Sequence, residues 1–199
     1  MELGDIHTLD TSINTLEKIK DFSEAYWKQI NYQEVYGYQI QKESEWKVGL
    51  NEMELFLFEK EVGFEFPSSL RNFYRTMNGL NKPGINFFGD LNNTEPTFSP
   101  QFYSYPDDLE LIDDYINWIL QENKISRDEI KSGKAPFIFP IHGHRFLIFD
   151  QNEQVLSMYG NDIIAWADNL TQAIVRDVFD SYLHSVDLAN FKPVNYWLE

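Results

Sequence analysis

Three short apolar segments lie close together between residues 137 and 159, and their order limits the fold more than any other feature of the chain. The segments are Phe137 to Ile141, Arg145 to Phe149 and Val155 to Tyr159. Turn-forming residues follow the first two, at His142-Gly143-His144 and at Asp150 to Gln154. Consecutive strands joined by short turns predict an antiparallel meander, with Ile163 to Trp166 as a fourth short strand.

Helical patterns precede this meander. Asn51 and Glu54 form a capping arrangement that opens a helix, and Gly63 ends that helix because glycine tolerates positive φ. Pro67 opens the next helix, where its missing N–H costs nothing, and Asn78-Gly79 is predicted to end it. The apolar residues of this second helix recur at helical spacing, at Leu70, Phe73, Tyr74 and Met77.

Further helical patterns complete the fold class. Asp107 and Asp108 begin a helix, and Ser126 with Glu129 forms a second capping box before a stop at Gly133. The apolar stripe of the first of these helices is Leu109, Ile112, Ile116 and Ile119. A last helix is predicted over residues 169–183. Helices before and after a run of strands are typical of an α+β fold, not of a doubly wound sheet.

The N-terminal residues are predicted to form a separate arm. Apolar residues from Ile13 to Ile30 recur at helical spacing, and Tyr36 to Ile40 alternates like a short strand. We predict that residues 1–45 are a helical arm packed on a main α+β domain over residues 46–199. Within that domain, Ile85 to Phe88 is a predicted strand, and a long loop follows it.

The charge of the chain restricts its partners. The 32 Asp and Glu residues outnumber the 16 Lys and Arg residues, which gives a formal net charge of −16. A surface this anionic repels phosphate backbones and acidic lipid headgroups, so we expect neither nucleic acid nor a membrane as partner. The charge favours a basic partner, or none.

Cysteine content and the first residues bear on the compartment. The chain has no cysteine, which excludes disulfides, thiolate metal sites and cysteine nucleophiles. The opening MELGDIHTLD lacks the basic and apolar regions of a signal peptide. No stretch approaches the roughly 18 uninterrupted apolar residues of a membrane helix. We therefore expect a cytoplasmic protein.

Two blocks of sequence together resemble the SUKH superfamily. The first runs from Glu59 to Tyr74, EKEVGFEFPSSLRNFY, and is followed by Asn78-Gly79. The second comprises Phe139-Pro140-Ile141, the strand from Arg145 to Asp150, and Val155 to Met158. Their order and spacing are similar to the family pattern over about residues 46–183.

The resemblance implies a domain of helices packed against an antiparallel sheet, without a catalytic constellation or a cofactor. The superfamily includes bacterial immunity proteins that neutralise polymorphic toxins, often nucleases, and fungal regulators of cell-wall synthesis. Its motif residues largely form the fold. Pro67, Asn78 and Gly79 match motif positions here. Physically, we explain them as residues that begin or end a helix.

Enzyme and metal chemistry have one candidate set of residues, His142, His144 and Asp150. The histidines lie two residues apart and would share a face of a strand. A metal site needs a fuller set of ligands, so we interpret these residues as a solvated turn around Gly143. Gly-rich phosphate loops, nucleophile elbows and His-Glu-x-x-His motifs are absent from the sequence.

The helix after Pro106 carries the candidate binding residues. Five acids and one tryptophan form this set: Asp107, Asp108, Glu110, Asp113, Asp114 and Trp118. Residues 106–123 contain no Lys or Arg, and a second acidic stretch from Phe146 to Phe191 has only Arg176 as a base besides its seven acids. An acidic face attracts a cationic partner, although net charge also serves solubility alone. Trp118 lies off the apolar stripe, as an exposed anchor or at the partly buried core edge.

Three functions follow from these observations. The leading hypothesis is a non-enzymatic immunity protein whose acidic face binds and blocks a basic, nuclease-like toxin domain. The alternative is a regulatory scaffold of the same superfamily without a toxin partner. A third hypothesis is an enzyme, or a small-ligand or metal binder, that uses His142, His144 and Asp150. A homodimer through an open sheet edge is compatible with each, since a meander leaves edges that need covering.

Overall fold

The computed structural model describes residues 3–29, 40–82, 85–86, 98–179, 187 and 191–198. Within these residues the helices are a short 3-10 helix Ile6–Thr8, α1 (Ile13–Gln29), α2 (Glu52–Val62), α3 (Ser68–Thr76), α4 (Leu109–Glu122), α5 (Arg127–Lys131) and α6 (Leu170–Val178). The strands are β1 (Trp46–Val48), β2 (Met77–Leu80), β3 (Ile85–Asn86), β4 (Phe98–Ser99), β5 (Phe137–His142), β6 (Arg145–Phe149), β7 (Val155–Tyr159) and β8 (Asp162–Ala167). The predicted α+β class is confirmed.

The predicted meander is the main sheet of the molecule. Its strands lie in the order β5-β6-β7-β8, and all neighbours are antiparallel. Phe137 pairs with Phe149 across the first two strands, and Val155 pairs with Ala167 across the last two. The remaining strands form two-stranded antiparallel sheets, β1 with β2 and β3 with β4.

The Asn78-Gly79 motif was predicted to end a helix, and that prediction is wrong. Helix α3 ends at Thr76, and Met77 already belongs to β2. The physical reason is a close contact with the segment before α4. Asn78 Nδ2 donates to the carbonyl oxygen of Tyr105 at 2.7 Å, and the Tyr105 N–H donates to Asn78 Oδ1 at 2.8 Å. Gly79 has φ +73°, and a Cβ there would lie 2.7 Å from Ser104 Cβ.

The other predicted helix caps and helix ends are present in the structure. Asn51 caps α2 and Ser126 caps α5, each in a complete capping box, and Gly63 ends α2 with φ 85°. The apolar stripe of α4 faces inward, with Ile112, Ile116 and Ile119 buried. Helix α6 ends at Val178, where Phe179 is extended and packs against Tyr26 at 5.2 Å between ring centroids. Residues 180–183 of the predicted 169–183 lie outside the described residues.

The N-terminal helix packs closely on the rest of the chain. Helix α1 contacts α3 and α6, and its Leu16, Ile19 and Trp27 are buried. Trp46 of β1 donates from Nε1 to Ser23 Oγ of α1 at 2.8 Å. The division into an arm and a main domain at residue 45 stays a prediction. The predicted strand at Tyr36 to Ile40 lies, except for Ile40, outside the described residues, as does the second half of Ile85 to Phe88.

Aromatic rings fill the space between α2, α3 and the main sheet. Phe58 of α2 lies 5.0 Å from Phe66 and 5.8 Å from Phe139 of β5, centroid to centroid. Phe66 in turn reaches Phe149 of β6 at 6.1 Å. Helix α4 packs along β5. Among the helices described, none has both the length and the apolar character needed to cross a membrane.

Candidate protein-binding surface

The start of α4 is fixed by the segment before it. Residues 102–105 are held against Asn78 and Gly79 of β2, as described above. Asp108 then accepts hydrogen bonds from the Ser104 N–H at 2.7 Å and from Ser104 Oγ at 2.8 Å. Asp108 is half-buried. Because it accepts these two hydrogen bonds, this predicted binding residue stabilises the turn that sets the direction of α4.

Two more of the predicted acids are paired with cations from distant parts of the sequence. Asp107 accepts from Lys47 Nζ of β1 at 2.9 Å. Asp113 forms an ion pair with Arg127 of α5 and accepts from Asn117 Nδ2 at 2.8 Å. The acidic segment 106–123 has no base of its own, but the fold supplies two. A cationic partner would have to compete with these internal pairs.

Of the five predicted binding acids, Glu110 and Asp114 are the ones without an internal partner in the described chain. Both side chains are exposed, one turn apart on the outer side of the helix. Neither has a hydrogen bond or ion pair within the described part of the chain. These two side chains are therefore the ones best placed to meet an incoming positive charge.

Trp118 lies at the edge of the core. It is half-buried, and its ring meets Tyr115 at 6.3 Å and Tyr159 at 5.2 Å, both edge-on. A Cβ at Gly160, in the turn after β7, would touch it at 3.6 Å. Of the two predicted roles, partial burial is what the structure shows.

A groove runs between the end of α2 and the first half of α4. It encloses about 390 Å³. Its lining consists of four aliphatic side chains, Val62, Leu109, Ile112 and Ile116, and three carboxylates, Glu61, Glu110 and Asp113. The floor of the groove is apolar and its rim is acidic. The groove therefore suits a lysine or arginine side chain, which has an apolar stem and a positively charged end. No sequence pattern predicts that α2 and α4 lie side by side.

The histidine candidate is not assembled as the sequence suggested. His142 is the last residue of β5 and is 0% exposed, so the expected solvated turn is wrong for this residue. Asp150 lies at the opposite end of β6 from His144, where it accepts from the N–H groups of Asn152 and Glu153. In the described ranges no group of three potential ligands is arranged to hold a metal ion.

His142 belongs instead to a largely buried charged cluster between the main sheet and α6. We define this α6 cluster by its members, His142, Arg145, Trp166, Arg176 and Asp177. Asp177 Oδ2 accepts from Arg145 Nε at 3.0 Å and from Trp166 Nε1 at 3.2 Å. It also lies 3.3 Å from His142 Nε2, although that nitrogen is not aligned for a hydrogen bond.

The two guanidinium groups of the α6 cluster flank one indole ring. Arg145 Cζ lies 3.4 Å and Arg176 Cζ 3.7 Å from the Trp166 ring. Burial raises the pKa of Asp177, an effect opposed by the positive charge and hydrogen bond of Arg145. Asp177 was among the acids predicted for a second acidic surface. It is instead the internal counterion of these arginines.

Acid should destabilise the protein through two histidines. Burial, and then the nearby Arg145, lower the pKa of His142 well below 6.5 and that of His144 to about 4. As pH falls below about 6.5, the unfolded chain takes up protons on these side chains before the folded chain does. We expect the free energy of unfolding to fall from pH 7 towards 4.5, by up to about 1.4 kcal/mol per pH unit for each histidine.

Urea unfolding at pH 7.5, 6.5, 5.5 and 4.5 measures this slope. His144→Gln should flatten this slope, and His7→Gln, at an exposed position near the N-terminus, is the matched control. The raised pKa of Asp177 acts in the opposite direction at lower pH, so the informative quantity is the difference between wild type and variant. Equal slopes for wild type and His144→Gln would contradict the assignment.

Comparison with known families identifies the fold. The chain combines a four-stranded antiparallel meander, helices packed against it, and an Asn-Gly motif that contacts the segment before α4. The model of the SMI1 / KNR4 family (SUKH-1) matches residues 49–185. The match covers more than half of the chain, which therefore belongs to this family. No curated protein and no solved structure matches it.

Proposed function

We propose that the protein is a non-enzymatic binding domain of the immunity type, which neutralises a basic toxin domain by covering it with the acidic face of α4. The observation that carries the proposal is the pair Glu110 and Asp114, both exposed and without an internal partner in the described chain. Family membership supports a protein-binding role. The excess of acids over bases supports a cationic partner.

Inhibition would be steric and electrostatic. Glu110 and Asp114 would meet lysine or arginine residues that the toxin needs for its own substrate, such as nucleic acid phosphates. Asp107 and Asp113 would join after exchanging Lys47 and Arg127 for partner cations. Asp108 keeps α4 in place, and the exposed part of Trp118 adds contact area. Long-range attraction between the two surfaces would speed association. We place this action in the cytoplasm.

Co-expression tests the proposal. The full chain is produced in cells together with the toxin domain encoded beside its gene, and growth and co-purification are scored. We expect growth to be restored and a stable complex to be recovered. Persistent toxicity, or the lack of any toxin domain in the neighbourhood, would overturn the immunity role and favour the regulatory scaffold of the same superfamily.

A further inference from the structure

Helix α2 is apolar on its outer side as well as on its inner side. Leu55 and Phe58 face the core and are buried. Met53, Phe56 and Leu57 face outward, with 65%, 57% and 40% of their surfaces exposed. An ordinary surface helix carries polar residues on its outer side, and contiguous exposed apolar side chains typically mark a binding site.

This outer row of α2 leads into the groove beside α4. Residues 53, 57 and 61 are spaced four apart and so lie in one row along the helix, which places Glu61 after Leu57. Glu61 lines the groove, and Tyr105 at the approach to α4 donates from its hydroxyl to Glu61 at 3.4 Å. The Tyr105 ring stacks on Phe58 of α2 at 4.5 Å. The outer row and the groove form one surface, here named the α2–α4 surface.

Charge decides what such a surface can bind. Its rim holds Glu61 and Glu110, together with Asp113, which is paired with Arg127. Lys60 is exposed one turn after Phe56 and is the base beside the outer row. A second copy of the chain would bring the same carboxylates against this rim. A partner with apolar residues on one side and lysine or arginine beside them would complement both parts.

We propose that the α2–α4 surface binds a cationic amphipathic segment of the protein partner; the inference rests on the proposed function and deepens it. Apolar side chains of the segment lie on Met53, Phe56 and Leu57. A lysine or arginine enters the groove, its methylene stem against Ile112 and its charged end at Glu110. Apolar contact supplies affinity, and the carboxylates select for charge and orientation.

A designed peptide probes this chemistry without knowledge of the natural partner. The probe is an amphipathic helical peptide of leucine and lysine, and the control is a peptide of the same composition with its leucines dispersed. Methyl NMR of the full chain follows the titration. We expect saturable shifts centred on Met53, Leu57, Ile112 and Ile116 with the amphipathic peptide. Equal binding of both peptides, or shifts spread evenly to Ile164 on β8, would overturn the proposal.

Matched variants complete the test. Phe56→Ser with Leu57→Ser should weaken peptide binding by at least about tenfold, as expected for loss of central apolar contacts. Ile164→Ser removes a similarly exposed apolar side chain from β8 and should change nothing. Because all three side chains are exposed, circular dichroism should show unaltered folding in each variant. Wild-type affinity in the Phe56/Leu57 variant would overturn the proposal.

The two proposals fail in different ways. Peptide binding at the α2–α4 surface without rescue from the toxin would leave this surface assigned and remove the immunity role. Rescue from the toxin by a protein whose Phe56/Leu57 variant rescues equally well would retain the immunity role and reject this surface.

Discussion

Asp177→Ala is expected to lower the free energy of unfolding by about 3 to 5 kcal/mol, the usual cost of removing one partner of a buried charge pair. Asp177 is only 12% exposed and is the carboxylate that accepts from Arg145 in the α6 cluster. Its removal leaves the guanidinium of Arg145 largely desolvated without that counterion. Trp166 also loses its hydrogen-bond acceptor. Few single substitutions of a charged residue in this chain should cost as much.

Chemical denaturation of three variants measures this effect. Asp114→Ala is the matched control, since that carboxylate is exposed and has no internal partner in the described chain, and its cost should stay below about 0.5 kcal/mol. Arg145→Met combined with Asp177→Leu removes both charges and should be less destabilised than Asp177→Ala alone. A cost for Asp177→Ala no larger than that of the control would show that the carboxylate is not the needed counterion.

The ends of several helices could be predicted from the sequence because the interactions that cap a helix are local. The capping boxes at Asn51 and Ser126 and the positive φ of Gly63 involve residues within a few positions of each other. The same holds for the strands of the main sheet, whose turns are short. Asn78-Gly79 was misread because its partner, Tyr105, lies 27 residues away and no local rule indicates that contact.

The α6 cluster was even harder to predict from the sequence, because its contacts also join residues that lie far apart in the chain. His142, on β5, and Asp177, on α6, are brought together by the packing of α6 on the sheet. The local sequence predicts a turn at His142 and an acidic surface that includes Asp177. Only the three-dimensional structure shows that His142 is buried and that Asp177 is largely buried. Burial then explains the lowered pKa of His142 and the raised pKa of Asp177.

Only part of the candidate site could be predicted from the sequence. The row of acids on α4 follows directly from the sequence, but the cations that pair with Asp107 and Asp113 come from β1 and α5. The outer apolar row of α2 corresponds to a feature of its sequence. Its sequence EMELFLFEKEV has too many apolar residues for one buried face, so some of them had to be exposed.

Reversal of charge at Glu110 and Asp114 is the second large effect. Glu110→Lys with Asp114→Lys should slow association with the basic toxin domain by at least about tenfold at low salt, and should weaken the salt dependence of that rate. The fold should be unaffected, because neither carboxylate has an internal partner in the described chain. Asp113 is a poorer choice for this test, since its reversal also breaks the ion pair with Arg127.

The control must carry the same change in net charge elsewhere. Glu17→Lys with Asp21→Lys serves this purpose, since both residues are exposed on α1. The most direct measurement of the central claim is therefore the association rate constant of the toxin domain with wild type and with these two double variants. We expect a large decrease in this rate constant for the α4 variant and a small one for the α1 variant. Equal decreases in both would show that net charge alone attracts the partner and would contradict an acidic binding face on α4.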